Sequence, residues 1–123
     1  MGKTLLLRKL VKSKLQTVEG ETYHKKASAN ATYPYKTFKL SSASFVDARD
    51  DKELEIDIWD RSEDPKKAEE IADQIEALFH DANFPTPPIY STFFRENRYD
   101  LDDPDKNLQH IQLRFLVQLY KEE

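Results

Sequence analysis

The chain has 123 residues and a mass of 14.5 kDa, the size of one domain (1–123) with one hydrophobic core. It contains no cysteine, which excludes a disulfide framework and a thiolate metal site. No apolar run approaches the roughly 20 residues that span a bilayer, so no membrane partner is expected.

The formal charge of −4 conceals an uneven split. Residues 1–40 carry nine Lys or Arg against two acids, and residues 41–123 carry ten against twenty-one. A basic end and an acidic end on one chain suit head-to-tail association with copies of itself or with a complementary ring. The plainer reading is a lysine-coated first helix and solvated acids. The N-terminal apolar stretch is short and has no small-residue cleavage site, so no signal peptide is expected and an intracellular origin is the simple reading.

Residues 3–18 have helical spacing, with Leu7, Leu10, Val11 and Leu15 recurring every three or four positions. Gly20 is placed to end that helix. Residues 21–34 read as irregular chain with at most a short strand. A strand is predicted over 35–40, then a Ser-Ser-Ala-Ser loop and an acidic turn at 47–51. Residues 52–60 alternate, with Leu54, Ile56 and Ile58 on one face and Glu53, Glu55, Asp57 and Trp59 on the other.

A second helix is predicted from Ser62 as N-cap, with the stripe Ala68, Ile71, Ala72, Ile75, Leu78, Phe79 and Ala82. Pro-Thr-Pro-Pro at 85–88 breaks it. Two long strands follow, joined by an acidic turn at 100–105. On the second, Ile111, Leu113, Phe115, Val117 and Leu119 share one face. The expected fold is α+β: a mainly antiparallel sheet of four to five strands packed against two helices, in the order α-β-β-α-β-β.

Motifs for chemistry fail on inspection. Gly2-Lys3-Thr4 echoes a phosphate-binding loop but lacks its glycine-rich turn and preceding strand. The acidic turn has Asp105 and Ile111 where a calcium loop needs glycine and glutamate. Glu55 and Asp57 share a face and suit a nuclease metal site. An exposed face paired with lysines such as Lys36 explains them more simply. His24, His80 and His110 lie on separate elements without ligand spacing. Asn30-Ala31-Thr32 matches a glycosylation sequon, which has no bearing without a secretory signal. Neither an enzyme nor a cofactor is expected. Helix 1 with Tyr23, Tyr33 and Tyr35 offers a nucleic-acid-binding alternative, against which stands the acidity of the rest.

Two segments taken together are distinctive. Ile-Asp-Ile-Trp-Asp-Arg-Ser (56–62) leads into Ala-Glu-Glu-Ile-Ala-Asp-Gln-Ile-Glu-Ala-Leu-Phe-His (68–80). Phe-Phe-Arg-Glu-Asn-Arg-Tyr-Asp-Leu-Asp-Asp-Pro-Asp-Lys-Asn-Leu (93–108) then enters the strand Ile-Gln-Leu-Arg-Phe (111–115). The pairing, about two-thirds of the chain, resembles the tail-completion or tail-terminator proteins of long-tailed bacteriophages and prophages. The resemblance implies a non-catalytic virion protein, made in the bacterial cytoplasm. It implies a ring, usually sixfold, at the head-proximal end of the tail tube. Its partners would be further copies of itself, the tail tube protein and the head–tail connector protein, with DNA passing through unbound. A head-closure or connector protein of the neck is the neighbouring alternative.

Within that frame, an exposed face bearing Trp59, Phe94 and Tyr120, flanked by Arg95 and Arg98, is expected to form the subunit or tube interface, because aromatics and arginines dominate such contacts. The competing assignment puts Trp59 and Phe94 in the core beneath helix 1. Asp47, Asp50 and Asp51 are candidate channel-lining acids that repel phosphate; a solvated turn is the plainer alternative.

Overall fold

The computed structural model describes residues 2–46 and 49–121. Helix α1 (Lys3–Leu15) precedes β1 (Glu21–His24), β2 (Tyr35–Val46) and β3 (Arg49–Arg61). Helix α2 (Lys66–Phe79), β4 (Asn83–Thr86), β5 (Ile89–Leu101) and β6 (Leu108–Lys121) complete the chain. The strands form one six-stranded sheet in the order β1-β2-β3-β6-β5-β4. Only the β1–β2 pair is parallel.

The α+β class and the two helices agree with the sequence reading; the strand count is higher. The Ser-Ser-Ala-Ser stretch is not a loop but part of β2, which passes through it with a β-bulge between Ser42 and Ser44. Serines tolerate the strand because each is exposed at an outer position of the sheet. Asp50 and Asp51 likewise belong to β3 rather than to a turn. The prolines after α2 do more than break it: Pro85 sits in the short edge strand β4, where a missing N–H costs no ladder bond on the solvent side. Pro65, not Ser62, occupies the N-cap of α2. Ser62 Oγ instead accepts from the Asp64 amide, and Asp64 Oδ1 from the Lys66 amide, stepping the chain into the helix.

Alternation decides which side of the sheet meets the helices. Leu54, Ile56 and Ile58 of β3 point the same way as Ile111, Leu113, Phe115, Val117 and Leu119 of β6, and all are buried. Against them lie Leu7, Val11 and Leu15 of α1 and Ala68, Ile71, Ala72, Ile75 and Phe79 of α2. Phe79 is the centre of this packing. Its ring centroid is 4.9 Å from Phe93, 5.6 Å from Phe115 and 6.2 Å from Phe84.

α1 stops at Leu15, three residues earlier than its periodicity suggests. Thr17 and Val18 donate to Lys14 and Leu15, the tighter i→i+3 pattern that closes a helix end. Gly20 follows at φ +95, and a β-carbon there would stand 2.9 Å from the Pro34 carbonyl oxygen. The carbonyls released at this end converge on one cation. Lys36 Nζ donates to Val18 O (3.1 Å), Glu19 O (2.9 Å) and Gly20 O (2.6 Å). Lys36 is fully buried on the helix side of β2, opposite Ile58, and not on the face of Glu55 and Asp57 to which it was assigned. One residue of register separates the two sides.

Two outcomes follow from this packing. Phe79→Ala should lower unfolding stability by about 3–5 kcal/mol, read from urea midpoints, because it empties the space between α2 and the rings of Phe84, Phe93 and Phe115. Burial holds the Lys36 ammonium down at about 8, only partly opposed by Glu19. The unfolded chain, with an ordinary lysine, therefore binds the proton more tightly between about pH 8 and the usual lysine range. Wild-type stability should rise relative to Lys36→Met as pH climbs from 8 to 10, by about 1.4 kcal/mol per pH unit at most. A pH-independent difference between the two would show that Lys36 does not titrate in this window.

Candidate assembly surface

The sheet face turned away from the helices has no covering layer among the described residues. Its side chains come from alternate positions of every strand. β2 supplies Tyr35, Thr37 and Lys39, β3 supplies Glu53, Glu55, Asp57 and Trp59, and β6 supplies His110, Gln112, Arg114, Leu116 and Tyr120. A solvent-facing surface of an antiparallel sheet is ordinarily polar. This one is divided between a row of rings and a net of ion pairs.

The rings run across one end. Tyr35 lies 6.5 Å from Trp59, and Trp59 stacks on His110 at 3.6 Å, with planes 16° apart. Tyr23 and Tyr33 extend the row from β1 and the loop before β2, and the Arg61 guanidinium covers Tyr33 at 5.2 Å. The register explains the row, since Tyr35, Trp59 and His110 are directly opposed on three neighbouring strands. Such cross-strand pairs contribute on the order of 0.2–1 kcal/mol each.

The ion pairs occupy the middle of the face. Lys39 meets Glu55 at 3.3 Å, and Arg114 bridges Glu55 (3.3 Å) and Glu53 (3.1 Å). His110 Nε2 lies 2.6 Å from Asp57 Oδ1, which also accepts from Gln112 at 3.1 Å. Burial alone would push the Asp57 carboxyl up, but the bonds from His110 and Gln112 outweigh it and hold it below the usual carboxylate range. Glu55 and Asp57 thus face cations and an imidazole, an arrangement that serves strand registration. Among the described residues no three His, Cys, Asp or Glu side chains converge as a metal site.

The five residues expected to form one interface do not converge. Trp59, Phe94 and Tyr120 do share the open face, with Trp59 and Phe94 half-buried and Tyr120 exposed. They are spread along it: Trp59 sits opposite His110, ten residues from Tyr120, or about 33 Å of strand. The two arginines are on the other side. Alternation after Phe94 sets Arg95 opposite Phe115, and a bulge between Arg95 and Asn97 sets Arg98 opposite Leu113, both residues that point to the helices. Arg98 Nη1 contacts Asp73 at 2.7 Å and Glu76 at 3.4 Å, and Arg95 Nε contacts Glu76 at 3.4 Å. These arginines clamp α2 to β5.

The three acids also separate. Asp47 lies outside the described residues. Asp50 is buried on the helix side between Lys3 and Lys52, each at 3.2 Å. Burial pushes its carboxyl up, and the bonds from Lys52 and Lys3 more than reverse this. Asp51, on the open face, is held by Arg49 at 2.8 Å. Neither presents a free negative charge.

The sequence reading missed His110 as the partner of both Trp59 and Asp57. Its alternation with Gln112 and Arg114 signals an outward position, but only the pairing of β3 with β6 identifies what it meets.

The profile of the Tail completion protein gp17 family matches residues 5–119. A chain of the structure described as "Virion of native gene transfer agent (GTA) particle" superposes with a TM-score of 0.68 over 89% of this chain and 84% of that one. The two are 11% identical, so the likeness is one of fold. No curated protein sequence matches the chain. The resemblance carried by residues 56–80 and 93–115 points the same way as the family profile. The chain belongs to the Tail completion protein gp17 family.

Proposed function

We propose that this chain closes into a ring, expected to be sixfold, at the head-proximal end of a phage tail tube. There it ends tube polymerisation and docks to the head connector, while DNA passes through without specific contacts. The family supplies the ground for this: a tail completion protein is a structural, non-enzymatic component of a phage-like virion.

The observation that carries the finer reading is the open face of the sheet. Strands of 12 to 14 residues leave a broad surface that no helix covers. Tyr35, Trp59, Phe94 and Tyr120 stand on it among bridged charges. Large rings lose little rotamer freedom when a partner covers them, and the ion pairs are already satisfied before it arrives. Such a face suits burial against the tube or a neighbouring subunit. Arg95 and Arg98 act here through α2, as its anchors, and not as contact residues.

Light scattering on the protein alone, and then with preformed tail tubes, tests the reading. A ring-sized species or stable capping of tube ends is expected. A strict monomer that leaves tubes uncapped would overturn it and move the protein to the head side of the neck. Trp59→Ala should keep its far-UV circular dichroism, because Trp59 rests on Tyr35 and His110 and not beneath a helix. Ring formation or capping should fall about tenfold or more. An unfolded variant would return Trp59 to the core.

A further inference from the structure

The two lateral edges of the sheet carry an excess of opposite charge. At the β1 edge, Arg8 and Lys12 of α1 and Lys25 and Lys26 after β1 form no ion pair with any described residue. They surround one point: His24 is held below the usual imidazole range first by burial and then by Arg8, Lys25 and Lys12. Near the β5 edge Arg95 and Arg98 are bound to Glu76 and Asp73, and the cations left are Lys14, over Phe84 of β4, and Lys106, in the turn after β5. Glu96, Asp100 and Asp102 remain exposed there, without an ion pair among the described residues.

The backbone is unfinished at the same places. β1 pairs only with Tyr35–Phe38 of β2, so among the described residues β2 has no outer partner beyond Phe38. β4 pairs only with Ile89–Thr92 of β5, so β5 is bare along most of its second half. Following the antiparallel steps β2–β3, β3–β6 and β6–β5, the two bare strands run in opposite directions. Two copies set side by side in one continuing sheet would therefore bring them together as an antiparallel pair.

We propose that copies of this chain join head to tail by adding the bare part of β5 of one copy to the bare part of β2 of the next. In that pairing the C-terminal end of β5 meets β2 just past Phe38, where Lys25 and Lys26 stand. Asp100 and Asp102 of one copy then face Lys25 and Lys26 of its neighbour. A hollow of about 360 Å³ lies at this spot, walled by Lys25, Lys26, Tyr35 and Trp59. Leu101, 37% exposed between the two acids, is the apolar group placed to enter it. Opposite charges on opposite edges favour this heterologous contact over a two-fold one, which would set like charges together.

This inference rests on the ring reading for its biological setting, but its test does not. The chain has no cysteine, so single thiols can be placed at will. Lys26→Cys and Asp102→Cys proteins, mixed and oxidised, should form a disulfide-linked heterodimer, while each alone gives little homodimer. Lys25→Glu/Lys26→Glu and Asp100→Lys/Asp102→Lys should each weaken self-association about tenfold or more at low salt, and mixing the two should restore it. Homodimers in place of the heterodimer, or no crosslink at any concentration, would overturn the edge pairing. Crosslinked chains that never close would keep it and end the ring reading. A ring of full mass that never crosslinks between these edges would end the edge pairing alone.

Discussion

The antiparallel ladder between β3 and β6 is the constraint on which the rest of the molecule depends. It runs without a bulge from Arg49 opposite Tyr120 to Arg61 opposite Leu108. Because strand side chains alternate strictly, this one register assigns every neighbouring residue to a side. Leu54 and Phe115 go to the helices, and Glu55 and Arg114 go to the open face. A slip by one residue would put the aliphatic set in water and carboxylates beneath α2. The apolar face of both central strands makes that slip prohibitively costly.

The helices are then held by different means. α2 lies on the ladder through Phe79 and is tied along its polar side by Arg95 and Arg98. α1 contributes Leu7, Val11 and Leu15, but its far end is fastened by a single ammonium. Lys36 replaces the water that three carbonyls would otherwise need, at the cost of bringing its charge into the core. Surface ion pairs elsewhere, such as Lys67 with Glu19, are exposed to solvent and contribute little. The fold is thus set by apolar packing and by buried polar groups that are satisfied one by one.

The distribution of charge serves assembly better than it serves stability. The acids in the central strands are neutralised within the subunit: Asp50 by two lysines, Asp51 by Arg49, Glu55 by Lys39 and Arg114. The two edges of the sheet keep exposed charge of opposite sign, Lys25 and Lys26 at one and Asp100 and Asp102 at the other. A surface arranged in this way resists indiscriminate self-association and still directs one edge to the other. An open face of rings and paired charges beside it gives a second, chemically different contact. Under the proposed ring reading, these two distinct contacts would serve a component set between a tube and a connector.

Much of this was readable from the chain. The period of 3.6 in residues 68–79 and of 2.0 in residues 111–119 determined α2 and β6, because helices and strands repeat with those periods whatever surrounds them. Alternation also separated Leu54, Ile56 and Ile58 from Trp59. The family resemblance lay in the order of two local segments, which a sequence preserves. Residues whose structure depends on partners far along the chain were not readable. The serines of β2 have no strand signal of their own and are recruited by β3, and four residues around Pro85 become a strand only because β5 offers an edge. Arg95 and Arg98 seemed to flank Trp59 and Phe94, but alternation after Phe94 sends Arg95 to the helix side and a one-residue bulge beyond it turns Arg98 there too. Lys36 looked like a surface cation, and only the return of the chain after α1 brings three carbonyls to it. The sequence by itself determined periodicity, composition and family, which are local properties. Tertiary structure alone decided which strands pair, on which side each charge falls and where the edges are left open, because these follow from contacts between residues distant in the chain.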